Sequence, residues 1–128
     1  MSSLDHVHPV DAEQVAAARA GGLAADDAGQ LAELLGILAD PVRSRVLFAL
    51  GAAGELCVGE LALALEVTED QVSYALKMLR LARLVSFRKD GRMVFYRLSD
   101  GFPHQLLEHC LPQLLSLSRR NQAGDDGA

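Results

Sequence analysis

Residues 68–98 read TEDQVSYALKMLRLARLVSFRKDGRMVFYRL, and a change of rhythm inside this stretch decides the fold. Thr68 followed three residues later by Gln71 is a capping box, in which each side chain satisfies a free backbone N–H of the other at a helix start. Val72, Leu76, Leu79 and Arg83 then fall in one row, with Ala75 and Ala82 beside it, as on the packed side of a helix. After Leu84 the period drops from about 3.6 to 2. Val85, Phe87, Val94, Tyr96 and Leu98 alternate with Ser86, Arg88, Phe95 and Arg97, and Asp90-Gly91 between the two runs is a hairpin turn pair. A capped helix followed by a basic two-stranded hairpin predicts a helix with a wing.

Upstream, Glu55 to Leu65 reads as a short helix with Val58, Leu61 and Leu65 inward, closed by a turn at Glu66-Val67. Before it, Asp40-Pro41 opens a helix whose buried side is Val42, Val46, Leu47 and Leu50, with Gly51 and Gly54 at its exit. Leu31, Leu34, Leu35 and Leu38 form the stripe of another helix, with Asp26-Asp27 at its start. Asp11 to Ala20 is a short alanine-rich helix ending at Gly21-Gly22, behind a loose arm. Downstream, Phe102-Pro103 opens a last helix carrying Leu106, Leu107, Leu111, Leu114 and Leu115, and Pro112 should kink it near Glu108. The expected fold is mainly α with a β-hairpin: a winged helix-turn-helix of about five to six helices and a two-stranded wing. Residues 1–25 are expected to form a flexible arm with a short weak helix, 26–118 the winged domain with its C-terminal helix, and 119–128 a disordered tail.

Composition removes several classes of function. The 128 residues are half hydrophobic and 23% charged, enough for one domain with a core. There is no membrane-length apolar run, and Met1-Ser2-Ser3-Leu4-Asp5-His6 has no signal-peptide character. Cys57 and Cys110 make no disulfide scaffold, so a cytoplasmic protein without membrane partners is expected. No nucleophile–base pair, phosphate loop or spaced carboxylate pair marks an enzyme or an organic substrate. The net charge of −5 hides a local excess: Lys77, Arg80, Arg83, Arg88, Lys89, Arg92 and Arg97 are seven of the twelve basic residues, opposed in that stretch only by Asp90. A polyanion meets local charge, not the average.

In such a fold the capped helix faces the major groove of DNA. Its outward side would be Gln71, Ser73, Tyr74, Lys77 and Arg80, with Gln71 able to pair with adenine and Lys77 and Arg80 suited to phosphates. Lys89 and Arg92 flank the wing tip. Glu69 and Asp70 repel phosphates, and either accept from cytosine or only favour the helix dipole.

Four stretches resemble the ArsR/SmtB family of bacterial metal-responsive repressors. They are Leu38-Ala39-Asp40-Pro41-Val42-Arg43, Glu55-Leu56-Cys57-Val58-Gly59-Glu60-Leu61, Val72-Ser73-Tyr74-Ala75-Leu76, and Gly91-Arg92 with Tyr96-Arg97-Leu98, in the family's order. The resemblance implies a homodimeric repressor that binds an inverted-repeat operator and leaves it when an effector binds. Its outer helices would form the dimer interface, here through Leu106, Leu107, Leu111 and Leu114.

The inducer site departs from the family pattern. Gly59 stands where a second thiolate is usual, and Phe102 replaces the histidine that follows Asp100, with Gln113 and Ser116 near the later ligand pair. The remaining donors suggest a zinc or nickel site of Cys57 with His6 and His8 from the arm and a carboxylate such as Asp5, and no metal is expected to be required for folding. A second set is His104, His109 and Cys110; the two histidines are five apart and do not share a face of a regular helix. Two other readings stay open. One keeps the DNA binding but switches it by cysteine redox chemistry or by no small effector. The other is a protein-interaction module that has lost operator binding.

Overall fold

The computed structural model describes residues 10–127, in two units that divide between Glu33 and Leu34. In the first unit α1 (Ala12–Gly21) is capped by Asp11, whose Oδ1 accepts from the N–H groups of Glu13 and Gln14 at 2.9 and 3.3 Å. No residue of α1 is buried, as its weak apolar pattern led one to expect. α2 (Ala25–Leu38) begins in this unit and also buries no side chain fully.

The second unit is stitched together by the stretch around Asp40-Pro41. Asp40 caps α3 (Pro41–Ala53) by accepting from the Arg43 N–H at 3.0 Å, and Pro41 fills the first turn, where no N–H is needed. Arg43 and Ser44 donate back to the terminal carbonyls of α2, at Ile37 and Leu38, which would otherwise lack partners. Arg45 donates to the Leu65 carbonyl at 2.8 Å, closing the end of α4 (Val58–Leu65). Each of these two arginines thus commits one guanidinium N–H to the fold.

Between α3 and α4 the sequence reading needs correction. Glu55–Cys57 is a strand, β1, and the helix starts only at Val58. Three residues are too few to show a period of 2, and the leucine spacing beyond them extends a helical pattern backwards over them. The strand is held by its pairing with β3. The wing is accordingly a three-stranded antiparallel sheet in the order β1-β3-β2, not a hairpin alone, with β2 at Val85–Asp90 and β3 at Met93–Leu98. Asp90 pairs with Met93, so the loop is Gly91-Arg92, and Gly91 has the φ of +63° that a tight hairpin needs.

α5 (Glu69–Leu81) starts on the expected capping box and buries Val72, Ala75, Leu76 and Leu79 against α3 and α4. It ends two residues before Arg83, which does not continue the packed row. Arg83 instead adopts φ +63°, with its N–H to the Arg80 carbonyl and the Leu84 N–H to the Leu79 carbonyl, both at 2.9 Å. This is the paired-bond helix ending that normally selects glycine.

The last helix takes the break at Pro112 in an unexpected way. Pro112 has no N–H, and its ring crowds the carbonyl of Glu108. The chain widens into a π-turn over Leu106–Cys110, closed by the Leu111 N–H on the Leu106 carbonyl, and α6 (Leu111–Gly127) follows. The helix runs to Gly127, so the tail expected to be disordered from residue 119 is helical. An existing helix is its own nucleus, and adding polar residues to it costs little.

Candidate nucleic-acid interface

α5 divides its residues cleanly. Outside its buried row, Gln71, Ser73, Tyr74, Lys77 and Arg80 are all exposed, Tyr74 by 59%. Tyr74 and Lys77 lie opposite the buried row with Ser73 beside them, while Gln71 and Arg80 flank that row on its two sides. Two of them are already engaged. The Gln71 Oε1 accepts from the Thr68 N–H at 3.0 Å and from its hydroxyl at 3.2 Å, so bidentate pairing with N6 and N7 of an adenine would require leaving the cap. The Arg80 guanidinium lies 4.4 Å over the Phe87 ring of β2, which fixes its direction.

The basic stretch is less uniform than the sequence suggests. Arg88 is bound to Glu55 and Arg97 lies 3.5 Å from Asp100. Glu55 is held below the usual carboxylate range, first by the hydrogen bond from Arg88, against some desolvation and with help from the charges of Arg88 and Arg97. Arg88 is raised correspondingly, chiefly by Glu55. Lys77, Arg83, Lys89 and Arg92 have no acidic partner within salt-bridge distance among the described residues. Lys89 and Arg92 flank the wing tip and are exposed. Glu69 and Asp70 occupy the first turn of α5, where they complement the helix dipole.

The candidate metal donors are more scattered. Cys57 is half-buried at the cap of α4, where the Glu60 carboxylate accepts from its backbone N–H at 2.9 Å and is thereby held below its usual range. His6 and His8, with Asp5, lie outside the described residues. His104, His109 and Cys110 are exposed, and His109 is nearest an acid at Glu108, 3.8 Å away. Among the described residues no three His, Cys, Asp or Glu side chains gather as a metal site. Phe102, at the position where the resemblance has a histidine, is part of the core and meets the His104 ring edge-on at 6.1 Å.

The expected dimer residues also separate. Leu107 is only 6% exposed and packs inside its own chain, close enough to α3 that a Cβ on Gly51 would lie 3.0 Å from it. It has almost no surface left for a partner, and assigning it to an interface is corrected. Leu106 and Leu111 are half-buried against the same core. Leu114 is 60% exposed, with Leu115 and Leu117 at 51% and 46%; these last two the expected interface omitted. The π-turn explains the error, because it shifts the phase of every leucine across it.

Known proteins share this arrangement. The sequence profile described as "Bacterial regulatory protein, arsR family" matches residues 40–86, from the α3 cap into β2. The transcriptional repressor SmtB homolog of Synechocystis sp. is 46% identical over 92 residues, covering 72% of this chain and 69% of that protein. The cadmium resistance transcriptional regulatory protein CadC homolog of Staphylococcus aureus is 31% identical over 86 residues, 67% of this chain and 71% of that one. The crystal structure of the AntR antimony-specific transcriptional repressor is similar with a TM-score of 0.64 at 30% identity, over 75% of this chain and 86% of that one.

Proposed function

The chain belongs to the arsR family of bacterial regulatory proteins, and from that premise we propose that it represses transcription by binding an inverted-repeat operator as a homodimer. The family consists of DNA-binding regulators and not of enzymes. One observation carries the reading for this chain: α5 turns Ser73, Tyr74 and Lys77 outward on a fully packed helix, beside a wing with Lys89 and Arg92 at its tip. Lysines and arginines there neutralise phosphates, while the shorter polar side chains at the front of α5 reach base edges. The exposed leucines of α6 support a second copy as partner, since a soluble chain gains by burying them. Two copies related by a twofold axis would read half-sites about one helical turn apart.

Operator affinity is set by a transition-metal ion, zinc or nickel, with Cys57, His6 and His8 as the donors carried forward from the sequence. Relatives named for cadmium resistance and antimony specificity support a metal response in general. Because the described residues complete no site by themselves, the donors outside them are essential to this reading. A ligand with 5- to 150-fold preference between the two DNA-binding states would supply roughly 1 to 3 kcal/mol of coupling.

The test is a gel-shift on duplex DNA from upstream of the gene, across a salt series and with zinc or nickel added. Binding that weakens with salt and is released by metal is expected, with release lost in Cys57→Ser and on removal of residues 1–10. Metal release retained in both variants would move the site elsewhere, and absence of salt-dependent binding would overturn the repressor reading.

A further inference from the structure

The wing is gripped by arginines on both of its faces. Phe87 and Arg88 are neighbours on β2 and therefore point to opposite sides of the sheet. On the inner side Phe87 lies under the guanidinium of Arg80 from α5 and 5.9 Å from Tyr96, centroid to centroid. On the outer side Arg88 reaches across β3 to β1. Its Nε donates to the Glu55 Oε2 at 2.9 Å and its Nη2 to Oε1 at 2.8 Å, a two-pronged bond. The guanidinium passes 4.8 Å from the centre of the Phe95 ring, and Nη1 lies 3.8 Å from Asp90.

The register explains why these groups meet. Arg88 stands opposite Phe95 and Phe95 opposite Cys57, while Glu55 stands opposite Arg97. Glu55 and Arg88 thus share the outer face and close a diagonal over all three strands. β1 runs without a break into α4, so this diagonal ties the hairpin to the helix that packs on α5. A guanidinium committed to a carboxylate in a fork is not offered to a phosphate.

We propose that Glu55 and Arg88 are a positioning pair that fixes the attitude of the wing toward α5, so that Lys89 and Arg92 meet the DNA backbone while α5 lies in the groove. The proposal rests on the DNA-binding reading above. β1 pairs only with Phe95, Tyr96 and Arg97 of β3, so the tip of the hairpin, with Lys89 and Arg92, extends beyond the third strand. If it swung freely, DNA binding would have to order it, and affinity would fall by that amount. Arg88 belongs to the basic run by sequence but acts through the wing and not on the DNA.

Two measurements on Glu55→Gln, Arg88→Lys, Arg88→Met and the Glu55→Gln/Arg88→Met double variant decide it. Without DNA, amide hydrogen exchange over residues 85–98 is expected to speed up about tenfold in every variant, with α3 and α5 unchanged as the control for folding. With upstream duplex DNA, each variant is expected to bind about five- to tenfold more weakly, the double variant no worse than the singles, with an unchanged slope of log K against log salt. Arg88→Lys keeps the charge and loses the fork, so it should behave as Arg88→Met does.

A direct phosphate contact gives a different pattern. Arg88→Met would then lose about one unit of salt slope, Arg88→Lys would bind as wild type does, and Glu55→Gln would bind as tightly or more so. That pattern, or wing exchange unaltered in the variants, overturns the proposal. Failure of the DNA-binding reading itself has a separate signature: wild type and Lys77→Ala equally unable to bind.

Discussion

α5 and α6 are both helices with leucines on one side, and they resolve that side in opposite ways. α5 buries Leu76 and Leu79 almost completely, together with Val72 and Ala75, because α3 and α4 of the same chain cover them. Its opposite face is left exposed, with Ser73, Tyr74 and Lys77 and also Leu81, which is 70% exposed. α6 leaves Leu114, Leu115 and Leu117 about half exposed or more, although they are no less apolar. A helix whose stripe is matched inside the chain can point its other face at a ligand, whereas one whose stripe is unmatched awaits another surface. The same residue type is core in one helix and exposed surface in the other.

The sharpest way to break this contrast is to remove a leucine from each helix. Leu76→Ala leaves a cavity in a core that has little room to collapse, and should cost about 2 to 5 kcal/mol in a denaturant titration. Leu115→Ala should change the stability of the monomer by no more than about 0.5 kcal/mol. Similar losses at both sites would mean that α6 is covered within the chain after all.

The next effect is on assembly. Leu114→Glu combined with Leu117→Glu should give folded monomers by sedimentation, because two charges in a contact surface are desolvated without partners. Operator binding should fall with it, since one half-site then holds one recognition helix. Leu107→Glu makes the complementary control: its side chain lies in the core, so it should unfold the chain and not merely separate copies. An intact dimer for the double variant would place the interface away from α6.

How far the sequence carried this division depends on the element. α5 was legible because its start is written in two side chains, Thr68 and Gln71, which the structure reproduces, and its packing in a row of which Val72, Leu76 and Leu79 are buried while Arg83 is not. The wing strands were legible from their alternation. β1 was not, since a three-residue strand has no rhythm of its own and exists through pairing with residues some 40 positions later. That miss concealed the Glu55–Arg88 pair and made Arg88 look free. α6 was half legible: Pro112 announced a disturbance near Glu108, but a π-turn instead of a simple bend rotates the leucines and decides which of them face outward. The residues expected to meet DNA are all exposed on α5, while the cap on Gln71 and the stacking of Arg80 are tertiary facts.

On the free face of α5 smaller effects separate charge from reading. Lys77→Ala should weaken binding to all duplexes alike and reduce the salt slope by about one unit. Gln71→Glu keeps the capping box, because a carboxylate at that position accepts the same N–H, and so leaves the helix intact. Any change in preference among operators would then belong to a base contact, at about 1 to 3 kcal/mol. Identical operator preference in Gln71→Glu would confine Gln71 to its cap.

The smallest effect concerns the point where α5 ends. Arg83 holds φ +63°, a conformation that costs an L-residue roughly 1 to 2 kcal/mol relative to the right-handed region. Its exposed cation lies just beyond the negative end of the helix dipole, which offsets part of that cost. Arg83→Gly and Arg83→Ala both remove the cation, and only glycine relieves the backbone. Arg83→Gly should therefore be more stable than Arg83→Ala, by about 0.5 to 1 kcal/mol in thermal unfolding. At Ser73 within α5 the order should reverse, alanine exceeding glycine by about 1 kcal/mol, because there the backbone is helical. Both Arg83 variants should also bind DNA more weakly than wild type if that cation meets a phosphate beside Lys77. Alanine more stable than glycine at both positions would mean that α5 continues through Arg83, with its packed row one turn longer than the structure shows.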